Sequence, residues 1–166
     1  MWLSEQRLRL LSGLIFLTLL SSCGFRLQGV GGYPESMTKT YVDARDRYTP
    51  FYRKLRVALE QGGVQLVSSP LDADAVVRIE KDDSGQRVLT VSSRNVPTEY
   101  NVYYSVTYSV WIDGKQVRPS SSLNSRQDYT YDSNEVLGKA REAELLQDAL
   151  ADRLVARVSR ELSSID

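Results

Sequence analysis

The hydrophobic period changes several times along the chain, and each change marks an element. Leu10 to Leu20 is an apolar run broken only by Ser12, Gly13 and Thr18, with Arg7 and Arg9 ahead of it. As helix it reaches about 16 Å, well short of a hydrocarbon core. The basic start, short apolar run and small Ser21 and Ser22 make residues 1–22 a secretory signal. Gly29, Gly31, Gly32 and Pro34 then predict an extended tether over residues 23–37. Thr38 to Asp43 alternates as a first strand. Thr49 and Pro50 open a helix whose Phe51, Leu55, Ala58 and Leu59 share one face, and Gly62-Gly63 stops it. Val64 to Val67 is a short extended piece, closed by Ser68-Ser69-Pro70.

From Ala75 the period becomes two. The pattern predicts a strand over Ala75 to Glu80, a turn at Lys81-Asp82-Asp83-Ser84-Gly85, a strand over Arg87 to Ser93, and a loop from Arg94 to Thr98. Glu99 to Ile112 is the longest strand, with Tyr100, Val102, Tyr104, Val106, Tyr108, Val110 and Ile112 facing one way. Asp113-Gly114 signals a hairpin into a more polar return strand, Lys115 to Asp128. Asn134 is placed to cap a last helix reaching about Ser163. Its face is traced by Val136, Ala140, Ala143, Leu146, Ala149, Leu150, Leu154, Val158 and Leu162. The order predicts an α+β domain over residues 38–166: two helices packed on one face of a mainly antiparallel four- to five-stranded sheet.

Composition narrows the chemistry. Lys and Arg balance Asp and Glu at 21 each, which argues against a nucleic-acid binder. The chain has no His and one Cys. That removes Cys-His dyads, Ser-His-Asp triads and ordinary zinc sites, and no cofactor is expected. Asp82-Asp83 reads as a turn pair rather than paired catalytic carboxylates. Tyr100, Tyr104 and Tyr108 share a face with Val102 and Val106, so core is the better reading than a sugar-stacking platform. Tyr103, on the polar face, is left for partner contact.

Leu20-Ser21-Ser22-Cys23 resembles a bacterial lipobox, in which the Cys is acylated after cleavage ahead of it. Lipidation of Cys23 accounts for an unpaired thiol in an exported chain, and two or three acyl chains make desorption negligible. Gly24, where an Asp would retain such a protein at the inner membrane, points to the outer membrane.

Cys23-Gly24-Phe25-Arg26-Leu27, the order of elements, and Arg94-Asn95 followed by Glu99-Tyr100 together resemble the LptE family of lipopolysaccharide-assembly lipoproteins. The resemblance spans residues 23–166, departing at Gln28, where the family often carries a basic residue. It implies a non-enzymatic, lipid-anchored plug inside the outer-membrane barrel LptD, acting in transport of lipopolysaccharide to the outer leaflet. It also implies a basic pair for lipopolysaccharide, at Arg94 and Lys139. Phosphates on lipid A suit both, Arg as a bidentate fork and Lys as a point charge. By themselves, Arg94 reads as a solvated loop arginine and Lys139 as a solvated helix residue. The alternative is a periplasmic small-ligand or peptidoglycan-binding lipoprotein acting without a barrel. A hydrolase is disfavoured by the missing His.

Overall fold

The computed structural model describes residues 32–131 and 136–165. Cys23, the tether up to residue 31 and Asn134 lie outside them. The elements are β1 (Lys39–Ala44), α1 (Pro50–Gln61), β2 (Gln65–Leu66), β3 (Ala75–Val91), β4 (Pro97–Ile112), β5 (Lys115–Thr130) and α2 (Val136–Leu162). They form an α+β fold with one five-stranded sheet in the order β2-β1-β3-β4-β5. β3, β4 and β5 are long and antiparallel. β1 lies parallel to both β2 and β3, because α1 carries the chain back to the end of the sheet where it began.

Both helices cover one face. Phe51, Leu55 and Leu59 of α1 and Leu150, Leu154, Val158 and Leu162 of α2 are buried with Val102, Tyr104, Val106, Tyr108 and Val110 of β4. Ala140, on the apolar side by spacing, is exposed, while Ala151 and Val155 join the core. Between the helices, Lys54 Nζ donates to Asp148 at 3.0 Å and to Asp152 at 2.7 Å. At the far end of α2, Glu161 gathers β4 and β5. Its carboxylate accepts from the buried Tyr108 hydroxyl at 2.5 Å, from Arg118 Nη1 at 3.0 Å and from Arg157 Nε at 3.2 Å.

The expected signals at α1 are all used. Thr49 accepts from Tyr52 N–H at 3.2 Å, Pro50 is the first helical residue, and Gly63 follows the helix with φ +87°. Gly62 has a different reason to be glycine. A Cβ there would lie 2.3 Å from the Tyr33 ring, which rests on the helix end. Asp113 and Gly114, with φ of 49° and 74°, form the left-handed pair that a two-residue hairpin requires.

The turn expected at residues 81–85 does not exist. β3 runs through it as one strand, paired with β4 from Lys81↔Thr107 to Arg87↔Asn101. What interrupts the alternation is a bulge at Glu80 between Ile79 and Lys81. Glu80 is held there by the hydroxyls of Ser109 and Ser120, each 2.7 Å from Oε1, and these bonds lower its pKa. The extra residue shifts the phase, so Asp82 faces the helices while Lys81 and Asp83 face away. Asp82 accepts from the Thr49 hydroxyl, tying the cap of α1 to the sheet. Desolvation raises the Asp82 pKa despite the hydrogen bonds from Thr49 and Tyr104 that work against the rise. Gly85 is likewise no turn residue: a Cβ there would sit 3.0 Å from the Tyr103 hydroxyl, so glycine gives the ring room across β3.

Candidate functional site at the hairpin end of the sheet

Arg94 sits at the tip of the β3–β4 hairpin. The tip is tied by Ser92 N–H to the Val96 carbonyl at 2.8 Å and by Asn95 N–H to the Ser92 carbonyl at 2.9 Å. Asn95 takes φ 61°, a conformation Asn tolerates because its short polar side chain bonds locally. Arg94 is exposed and makes no ion pair among the described residues. Around it stand Val88, Leu89, Val91 and Val96, each between 42 and 52% exposed. A cation ringed by uncovered apolar side chains is therefore the character of this tip.

Lys139 lies in the first described turn of α2. Its Nζ donates to Glu142 Oε2 at 2.9 Å, and only 17% of its side chain is exposed. The dipole at this helix end opposes a cation, and the carboxylate three residues on offsets it. Lys139 belongs to the surroundings of a tyrosine cluster. Tyr100 stacks on Tyr129 with centroids 5.8 Å apart and meets Tyr131 edge-on at 5.1 Å. The Tyr129 hydroxyl donates to Gln86 at 2.9 Å. Burial raises the Tyr129 pKa, with Tyr100, Glu142 and Tyr131 adding to the rise and Lys139 opposing it.

The register brings the two cations to one end of the sheet. Val91 pairs with Pro97 at the tip, and Tyr100 pairs with both Val88 and Tyr129. The tyrosines thus lie about 10 Å up the hairpin from the tip, at 3.4 Å per residue. Two parts of this end were not foreseen. Tyr129 and Tyr131 continue the alternation past Asp128, where the return strand was expected to stop. Val88-Leu89-Thr90-Val91, read as ordinary strand, carries more apolar residues than the sheet covers. Cys23 lies outside the described residues.

A family model described as LptE, lipopolysaccharide-assembly, matches residues 37–162. The chain belongs to this family. Membership in the LptE family gives it a role in lipopolysaccharide assembly and transport. A search of curated proteins gave no match. Among solved structures, rare lipoprotein B from Shewanella oneidensis is 25% identical with a TM-score of 0.66, the match covering 76% of this chain and 94% of that one. A lipoprotein B from Nitrosomonas europaea is 19% identical with a TM-score of 0.71, covering 85% and 91%. A minor lipoprotein from Acinetobacter baumannii is 22% identical with a TM-score of 0.64, covering 77% and 92%. The last two likenesses carry the fold alone. The fold of this LptE-family chain is thus shared along most of each chain.

Proposed function

We propose that this chain is an outer-membrane lipoprotein, anchored through acylated Cys23, that seats in the lumen of the LptD barrel as plug and assembly factor. In that position it serves the transport and insertion of lipopolysaccharide into the outer leaflet and performs no catalysis. Membership of the LptE family is the observation that carries the reading. Two features support it. The face of β3, β4 and β5 turned from the helices is mostly polar, as a surface against a water-filled lumen must be. The hairpin end joins Arg94, Lys139 and an apolar rim, which matches an amphiphile whose phosphates adjoin acyl chains. Arg94 holds a phosphate as a fork, and Lys139 exchanges Glu142 for another.

A tagged pull-down from detergent-solubilised outer membranes at native expression tests the plug. One large β-barrel recovered near one to one is the expected result. Recovery of the lipoprotein alone, under conditions that preserve barrel complexes, would overturn the reading and favour a ligand-binding lipoprotein that works without a barrel.

A further inference from the structure

On the uncovered face of the sheet, β3, β4 and β5 enclose a concavity of about 750 Å³. That is within the range of small-molecule sites. Tyr103 lies at its centre, paired with Gly85 on one side and Arg126 on the other. Arg87 lies over the Tyr103 ring, its guanidinium carbon 4.7 Å from the centroid. Stacking of this kind holds the planar guanidinium in place, so less freedom is lost when it binds. Neither Arg87 nor Arg126 has a carboxylate partner among the described residues. The acids nearby are engaged otherwise: Asp128 accepts from the buried Asn101 amide, and Asp83 faces Lys81 at 3.9 Å.

We propose that this concavity binds a phosphate-bearing oligosaccharide, with Arg87 and Arg126 taking the anionic groups and Asp128, Asp83 and Asn124 taking sugar hydroxyls. The argument is one of complementary chemistry. Two guanidinium forks free of acid partners attract an anion and hold it bidentately. Carboxylates beside them repel an acidic peptide, yet accept well from hydroxyl donors. The amides offer both donor and acceptor, as a diol requires. The walls carry a single aliphatic side chain of any size, Leu89, so the site offers an acyl chain little. This site faces away from the helices, whereas Lys139 stands on α2. The identity of the saccharide rests on the lipopolysaccharide reading above; the existence of the site does not.

The test uses the mature full-length protein and isothermal titration with a completely deacylated, phosphate-bearing oligosaccharide prepared from lipopolysaccharide. Binding is expected, and removal of the probe's phosphates should weaken it. Arg87→Gln and Arg126→Gln should each weaken it about tenfold or more, the usual size of a charge-assisted hydrogen bond. Lys115→Gln, at the opposite end of β5, should leave it unchanged. Thermal unfolding of each variant checks the fold, and Tyr103→Leu, which removes the platform under Arg87, provides a second route to the same loss. No binding by wild type, equal binding by the arginine variants, or stronger binding of a poly-glutamate peptide than of the oligosaccharide would each overturn the proposal. Barrel recovery without oligosaccharide binding sinks this site alone. Oligosaccharide binding without barrel recovery sinks the plug alone.

Discussion

Glu161 closes the far end of the fold, and its removal should be costly for reasons that can be apportioned. In Glu161→Ala the Tyr108 hydroxyl, fully buried, loses its acceptor. An orphaned buried hydroxyl costs about 1–3 kcal/mol. Arg118, about a quarter exposed, loses its carboxylate and keeps only a 3.4 Å bond to the Glu161 carbonyl. Partial solvation discounts that loss to roughly 1–2 kcal/mol. The sum is about 3–4 kcal/mol, or on the order of 12 °C in Tm for a domain of this size. Urea denaturation of the variant checks the total, and a double-mutant cycle checks the cause. Tyr108→Phe should cost about 1 kcal/mol in wild type yet become neutral or stabilising beside Glu161→Ala, where it removes the orphan. A loss below about 1 kcal/mol in Glu161→Ala, or the same cost for Tyr108→Phe in both backgrounds, would refute the reasoning.

Three further outcomes follow from the structure. Gly62→Ala puts a Cβ 2.3 Å from the Tyr33 ring and should cost about 1–3 kcal/mol, most of it recovered when Tyr33→Ala is added; denaturant midpoints of the four proteins decide it. Asp82 binds its proton more tightly folded than unfolded, because burial raises its pKa. Its contribution is therefore full below the unfolded carboxyl pKa of about 3.9 and is lost as pH rises through the folded value. The stability of wild type relative to Asp82→Asn should fall with pH above about 4 and then level off, and a difference that rises over that window would contradict the assignment. Charge reversal by Arg94→Glu with Lys139→Glu should weaken lipopolysaccharide binding by roughly tenfold or more while thermal unfolding stays cooperative. Unchanged binding would remove the pair as the contact.

Periodicity carried most of this fold because the elements it describes are long and one-sided. β4 shows why: its inward residues from Val102 to Val110 are all buried, as the alternation demands. α1 was legible to the residue, since Thr49, Pro50 and Gly63 act through local backbone chemistry. β3 failed where local chemistry and tertiary structure compete. Lys81-Asp82-Asp83-Ser84-Gly85 has the composition of a turn, and β4 overrides it by offering partners for every residue. Gly85 was misassigned for the same reason: its smallness serves a tyrosine on the next strand, a fact no window around Gly85 contains. At the hairpin end, Arg94 and Lys139 came from family likeness and not from any pattern of their own. The apolar rim and the Arg87-Tyr103-Arg126 face depend on which strand residues lie side by side, which only the register reveals.

The bulge at Glu80 has a meaning for how this sequence can change. In an ordinary strand, losing one residue displaces a side chain or two. Here Glu80 is the point where the two halves of β3 exchange inside for outside, so the distal half is written in a reading frame opposite to the proximal half. Deleting this residue alone would turn Asp82 and Gln86 out and send Lys81 and Arg87 toward the helices. Insertions at the hairpin tip carry no such penalty, because everything beyond them is loop. The chain is thus free to vary at its far end and bound at one interior letter, and relatives that lengthen or shorten this arm should do so in pairs of residues or at the tip.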